Sequence, residues 1–101
     1  MKGALKARLQ VNKISIEMNP FVEGFLAHIA VGVVASLKGA ESVQHLEIRQ
    51  EKGNVKISVN GRDVPLTPFP NDIICSTLTG LVSSLKEVTD IESLDISVDV
   101  H

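Results

Sequence analysis

Laid over itself with an offset of 48 residues, the chain aligns residues 7–49 with residues 55–97 without a gap, and 11 of those 43 positions are identical. The matches include Val11 with Val59, Asn12 with Asn60, Pro20 with Pro68, Phe21 with Phe69, Gly32 with Gly80, and Ser36-Leu37-Lys38 with Ser84-Leu85-Lys86. Average residue usage gives only about two or three identities by chance, so the sequence reads as an internal duplication. At 101 residues the chain is long enough for one well-buried core but not for two. The expectation is a single domain made of two repeats, about 6–50 and 54–98, joined by a polar stretch at Gln50–Asn54 too short to be a flexible linker.

Each repeat reads as strand, strand, helix, strand. Short alternating segments, Ala7–Val11 and Val55–Val59, are followed by two-residue turns and second strands near Ile14–Met18 and Asp63–Leu66. Asn60-Gly61 is a strong signal for a type I′ turn, because both central residues need positive φ; Asn12-Lys13 keeps only the Asn and is a weaker version. Asn19-Pro20 and Thr67-Pro68 then place a side-chain acceptor at the N-cap and Pro at the first helical position. Helices of about 18 to 20 residues are expected, with inward stripes of Phe21, Phe25, Ile29, Val33 and Leu37 in the first and Phe69, Ile73, Leu78, Leu81 and Leu85 in the second. Lys38 and Lys86 fall in the last turns, where a cation complements the dipole, with Gly39 as the first stop and Glu87 in its place in the second. Final strands follow at His45–Gln50 and Leu94–Val98.

The fold class is therefore α+β: a tandem ββαβ repeat forming a six-stranded, mainly antiparallel sheet with two helices on one face. If each unit keeps its own third strand beside its first, the strand order becomes 2-1-3-6-4-5, with a meander through the Gln50–Asn54 hairpin as the rival arrangement.

Gly32 and Gly80 sit mid-helix, where glycine costs roughly 1 kcal/mol relative to alanine. They lie on stripes with His28 and Ser36 in the first helix and with Ser76 and Ser84 in the second, residues spaced by four and so stacked along one side. These six residues are the candidate contact site, helix against helix or against a partner subunit, with plain tolerance of glycine at an exposed site as the remaining alternative.

Chemistry is harder to find. His28, His45 and His101 form no zinc pattern, Ser76, Ser83 and Ser84 lack a nucleophile elbow, and no glycine-rich phosphate loop is present. No catalytic residue, metal or cofactor is expected. The formal charge of -2 disfavours nucleic acid as a partner, and the 3% aromatic content offers no stacking platform. Arg8 and Lys56, equivalent by the repeat, are the best case for a basic strip and an anionic ligand. Residues 1–13 carry only bases and residues 87–101 only acids, an arrangement that favours attraction within or between chains. A lone Cys75 fits a reducing compartment, the longest uncharged stretch, Gly24 to Leu37, is 14 residues, and no secretory signal is seen; a cytoplasmic, non-membrane protein is expected.

At Val59-Asn60-Gly61, Pro65-Leu66-Thr67-Pro68-Phe69 and Ser83-Ser84-Leu85-Lys86 the chain resembles short uncharacterised prokaryotic proteins with a VNG hairpin, a PLxPF helix start and an SLK helix end, here in tandem. The resemblance implies a domain of unknown function and carries over no site residues; the first copy departs from it at Lys13 and Glu17. The hairpin, helix and strand also look like the opening of β-grasp sulfur carriers, but their reactive Gly-Gly end has no counterpart in Asp99-Val100-His101, so that activity is not implied. The functional expectation is a noncatalytic scaffold or protein-interaction module, homodimeric through a sheet edge or the apolar helix layer. The alternative is a small-molecule binding protein or an enzyme with a pocket at the junction of the repeats, where His28 and Ser76 would meet.

Overall fold

Eight elements build the domain: β1 (Leu5–Val11), β2 (Ile14–Ser15), α1 (Pro20–Lys38), β3 (His45–Glu51), β4 (Asn54–Val59), β5 (Arg62–Val64), α2 (Pro68–Lys86) and β6 (Ser93–Val100). The computed structural model describes residues 5–38, 43–66, 68–86 and 90–100, with side chains for all of these except 37, 38, 68–70, 85 and 86. Gly39, Thr67, Glu87 and His101 therefore lie outside the described residues, as do the side chains of Lys38, Phe69 and Lys86.

All six strands pair antiparallel in one open sheet of order β2-β1-β6-β3-β4-β5. The third and sixth strands are neighbours as expected, but they have exchanged places relative to the order 2-1-3-6-4-5. The cause is the joint. Lys52 (φ 51°) and Gly53 (φ 80°) form a tight left-handed turn that folds β4 straight back on β3, with Glu51 opposite Asn54. One edge of β3 is thereby filled by the next half of the chain. β6 takes the other edge and closes against β1 from Leu5↔Val100 to Val11↔Leu94. Each half therefore lends its last strand to the first strand of the other half. The expected turns at Asn12-Lys13 and Asn60-Gly61 both have positive φ, 53° and 69° in one and 52° and 84° in the other; Lys13 adopts it despite its Cβ.

Cross-strand rows explain the layers. Leu9, Ile96, Ile48 and Ile57 lie in one row across four strands and are all buried, while Arg8, Ser97, Glu47 and Ser58 form the adjacent row on the opposite face. Alternation of this kind gives the sheet one apolar face and one polar face. Both helices cover the apolar face in a single core that includes Leu26, Val34, Leu78 and Val82 with the strand residues. Burying each such aliphatic side chain contributes about 1.5–3 kcal/mol.

Of the expected stripes, Leu78 is buried and Val33 and Leu81 pack against the core, but Phe21, Phe25 and Ile73 face outward. α1 turns Val22, Leu26, Ala30 and Val34 inward and leaves Phe21 and Phe25 outside; α2 turns Ile74, Leu78 and Val82 inward and leaves Ile73 outside. The strands already fill the interlayer space with Leu, Ile and Val, so the helix side takes small and aliphatic residues, and the rings have no room there. Asn19 caps α1 as expected, its Oδ1 accepting from the Val22 amide at 2.8 Å.

Asn12 and Asn60, two of the identities between the halves, act as staples. Asn12 Oδ1 accepts from the Glu92 and Ser93 amides at 2.7 and 3.0 Å, and Asn60 Oδ1 accepts from the Gln44 and His45 amides at 2.8 and 3.0 Å. Each turn thus fixes the start of the strand that closes the neighbouring ladder. The sheet edges are treated alike in both halves. The Ala7 amide on β1 donates to Glu23 Oε2 at 2.9 Å, and the Val55 amide on β4 donates to Asn71 Oδ1 at 2.8 Å. Outer strands of two and three residues, with side chains filling the exposed amides behind them, leave little edge for another chain to extend.

Candidate interaction surface

Two surfaces remain open to a partner, the polar face of the sheet and the outer face of the helix layer. The six candidate residues all belong to the second. His28, Gly32, Ser36, Ser76, Gly80 and Ser84 are exposed, and a Cβ placed on Gly32 or Gly80 meets no atom of another element within 4 Å. The expected approach of the two helices at these glycines is therefore not made; the reason is that the helices rest on the sheet through Leu26/Val34 and Ile74/Val82, which points the glycines away from the protein.

On α1 the exposed stripe runs Phe21, Phe25, His28, Gly32, Ser36. With 100° per residue these five Cα positions fall within an arc of roughly 80°, opposite the buried Leu26–Ala30–Val34 side. Phe21 is 71% exposed and Phe25 42%, and their rings stack with centroids 5.9 Å apart. Ile73, 48 residues after Phe25, is 47% exposed on α2. The two polar members of the α1 stripe bond to their own helix. His28 Nδ1–H donates to the Gly24 carbonyl at 2.7 Å, and the Ser36 hydroxyl donates to the Gly32 carbonyl at 3.1 Å. Covering them would strand neither of those donors.

Charge is nearly absent from this face. Gly24–Leu37 and Ile73–Leu85 contain no charged residue. Among the described side chains the helices carry only Glu23, turned to the β1 edge, and the exposed Asp72. Solvated helix faces normally carry charge, and its depletion with exposed aromatics is the pattern of an interface core. Sequence reasoning found the small stripe but missed Phe21 and Phe25. The signal available was an alternative stripe, Val22-Leu26-Ala30-Val34, matched at an offset of 48 by Ile74-Leu78-Val82 and aliphatic throughout.

The polar face carries the charge instead. Arg49 Nε pairs with Asp95 at 3.2 Å, and Arg8 lies 3.8 Å from Asp99, joining the basic first strand to the acidic last one. His45 Nδ1 bonds Asp99 at 2.5 Å and its Nε2 lies 3.3 Å from Glu47. These bonds, Asp99 first and Glu47 second, raise the His45 pKa above its ordinary 6.5. Arg8 and Lys56 share this face but lie in different rows, with Asp95, Glu47 and Ser97 on the strands between them, so no continuous basic strip forms. A groove of about 410 Å3 crosses β1, β6 and β3, lined by Arg8, Gln10, Glu47, Arg49, Asp95 and Ser97 among others. Neither His28 nor Ser76 lines it. Among the described residues no cluster of His, Cys, Asp and Glu is arranged to hold a metal ion, and no helix is long and apolar enough to cross a membrane.

Comparison with protein-family models, with curated proteins and with solved structures finds no match to this chain.

Proposed function

We propose that the protein is a noncatalytic interaction module that self-associates, its helix layer docking on the helix layer of a second copy. The observation that carries this reading is the exposed, charge-poor outer face of the helices, with stacked Phe21 and Phe25 at its apolar end. Size supports a second copy as the occupant. A 19-residue helix is about 28 Å long and neighbouring helices pack about 10 Å apart, so two of them present roughly 560 Å2 in projection. Two such faces together clear the roughly 1,000 Å2 expected of a specific contact. The capped, short sheet edges favour the helix layer over edge-to-edge pairing.

We read the two halves as copies of one ββαβ unit. The exact 48-residue offset between Pro20–Lys38 and Pro68–Lys86, and between the Asn12 and Asn60 staples, supports this reading. A paired domain with one cysteine fits the reducing cytoplasm.

Light scattering across protein concentration tests the proposal. A mass rising to twice that of the chain is expected, and a monomer at every concentration up to the millimolar range would overturn it.

A second reading, ligand binding in the sheet groove at the junction of the halves, draws support from one group. Ser97 Oγ is buried on that face and makes no hydrogen bond. Loss of a small molecule's binding on Ser97→Ala, with the fold intact, would favour this reading over self-association.

A further inference from the structure

The stripe on α1 is graded in size along its length. Phe21 and Phe25 occupy the N-terminal half, Gly32 and Ser36 the C-terminal half, and His28 lies between them. Turned end over end, the stripe is its own complement. An antiparallel pair centred between residues 28 and 29 sets Phe25 opposite Gly32 and Phe21 opposite Ser36, a ring against a small residue on both sides of the twofold axis.

We infer that two copies pair through α1 with α1 of the second copy, antiparallel, each Phe25 ring seated over the other copy's Gly32. The inference rests on the self-association reading above and specifies its geometry. Three observations converge on it. First, the Phe21–Phe25 stack is a preassembled apolar knob, with Phe21 left 71% exposed. Second, the surface above Gly32 is open: a Cβ there would meet nothing within 4 Å, so another chain has room to approach the backbone. Third, two donors that would be covered, His28 Nδ1–H and the Ser36 hydroxyl, already donate to the Gly24 and Gly32 carbonyls. Burial would therefore leave neither donor unsatisfied. An isologous contact of this kind closes at two copies, because each stripe is used up by its partner. α2 carries Ile73 where α1 has Phe25, so the ring-over-glycine match belongs to α1.

Disulfide trapping of the full chain reads the orientation directly. In a Cys75→Ser background, His28→Cys places two thiols beside the twofold axis. At a helix separation of about 8 Å the two Cα atoms come within disulfide range. Phe21→Cys places its thiol at the far end, opposite Ser36. Under mild oxidation, covalent dimer is expected to form at least ten times faster for His28→Cys than for Phe21→Cys. Equal rates, or a faster Phe21→Cys, would overturn the antiparallel pairing.

Gly32→Phe and Gly80→Phe separate this inference from the broader proposal. Neither residue touches another element, so both variants keep the fold, which thermal melting verifies. Gly32→Phe is expected to weaken dimerisation at least tenfold, and more strongly than Gly80→Phe. Loss on Gly80→Phe alone would refute the α1 pairing while leaving a helix-layer dimer standing. A wild-type chain that is monomeric throughout would refute both.

Discussion

Replacing the staple Asn12 by Ala removes three side-chain hydrogen bonds: two accepted from the Glu92 and Ser93 amides, and one donated by Nδ2 to the Asp90 carbonyl at 2.9 Å. At the low end of the usual net value, about 0.5–1 kcal/mol each, this costs about 2 kcal/mol, because the bonds lie near the surface. The backbone adds a second part. Asn12 sits at φ 53°, where Asn is tolerated better than Ala, so Ala costs about 1 kcal/mol more. Asn12→Ala is expected to lose about 3 kcal/mol, and Asn12→Gly, which keeps the turn but not the bonds, about 1–2 kcal/mol. For a domain of this size these losses lower Tm by roughly 12–20 °C and 5–12 °C respectively. Asn60, at φ 52° with two such accepted bonds, should behave the same way. Urea unfolding of the four variants checks the order Ala worse than Gly at both sites. A loss below about 0.5 kcal/mol for Asn12→Ala would refute the idea that these side chains hold the exchanged strands in place.

Further expectations concern a buried polar pair, a histidine, an edge and a glycine. Gln50 Nε2 donates to Thr79 Oγ1 at 2.7 Å while its Oε1 is buried without a partner; the equivalent pair in the other half is Val98 and Val31. Thr79→Val should cost about 1–3 kcal/mol by orphaning the amide, whereas Gln50→Leu with Thr79→Val should return stability to wild type or above it, measured by denaturant unfolding. Because the His45 pKa is raised in the folded state, its contribution is fully present below the unfolded value near 6.5 and disappears as pH rises through the higher folded value. The stability advantage of wild type over His45→Gln should therefore shrink between pH 6 and pH 8.5, and a constant difference would refute this. Glu23→Ala should cost about 1–2 kcal/mol and promote aggregation on heating, since it uncovers the Ala7 amide at the sheet edge. Gly80→Ala should stabilise by about 0.5–1 kcal/mol, because the added methyl has open space and alanine favours the helix.

The elements were legible in the sequence because each has a local cause. Alternation marks β1 and β4, Asn19-Pro20 starts α1, and Asn60-Gly61 closes β4 on β5. Two features were hidden, for different reasons. Strand order depended on Lys52-Gly53, a turn no stronger by composition than Asn12-Lys13, which decides whether β3 pairs with its own half or the next. The facing of α1 was ambiguous because the helix is apolar nearly all round; Phe21 and Phe25 fit one stripe as well as Val22, Leu26 and Ala30 fit another. Only the filled sheet face rejects the rings. The same ambiguity hid the interaction surface: an inward reading of the rings leaves no exposed apolar patch to explain. Gly32 and Gly80 were legible as unusual, but spacing alone does not say which side of a helix faces the sheet.

The most direct test of self-association through the helices is a dilution series followed by NMR on isotopically labelled full-length chain, from about 1 mM downward. Self-association through the helices changes amide shifts with concentration around Phe21, Phe25, His28 and Gly32, while those of Arg8, Glu47 and Arg49 on the polar sheet face stay fixed. Changes confined to the sheet face, or none at any concentration, would contradict it.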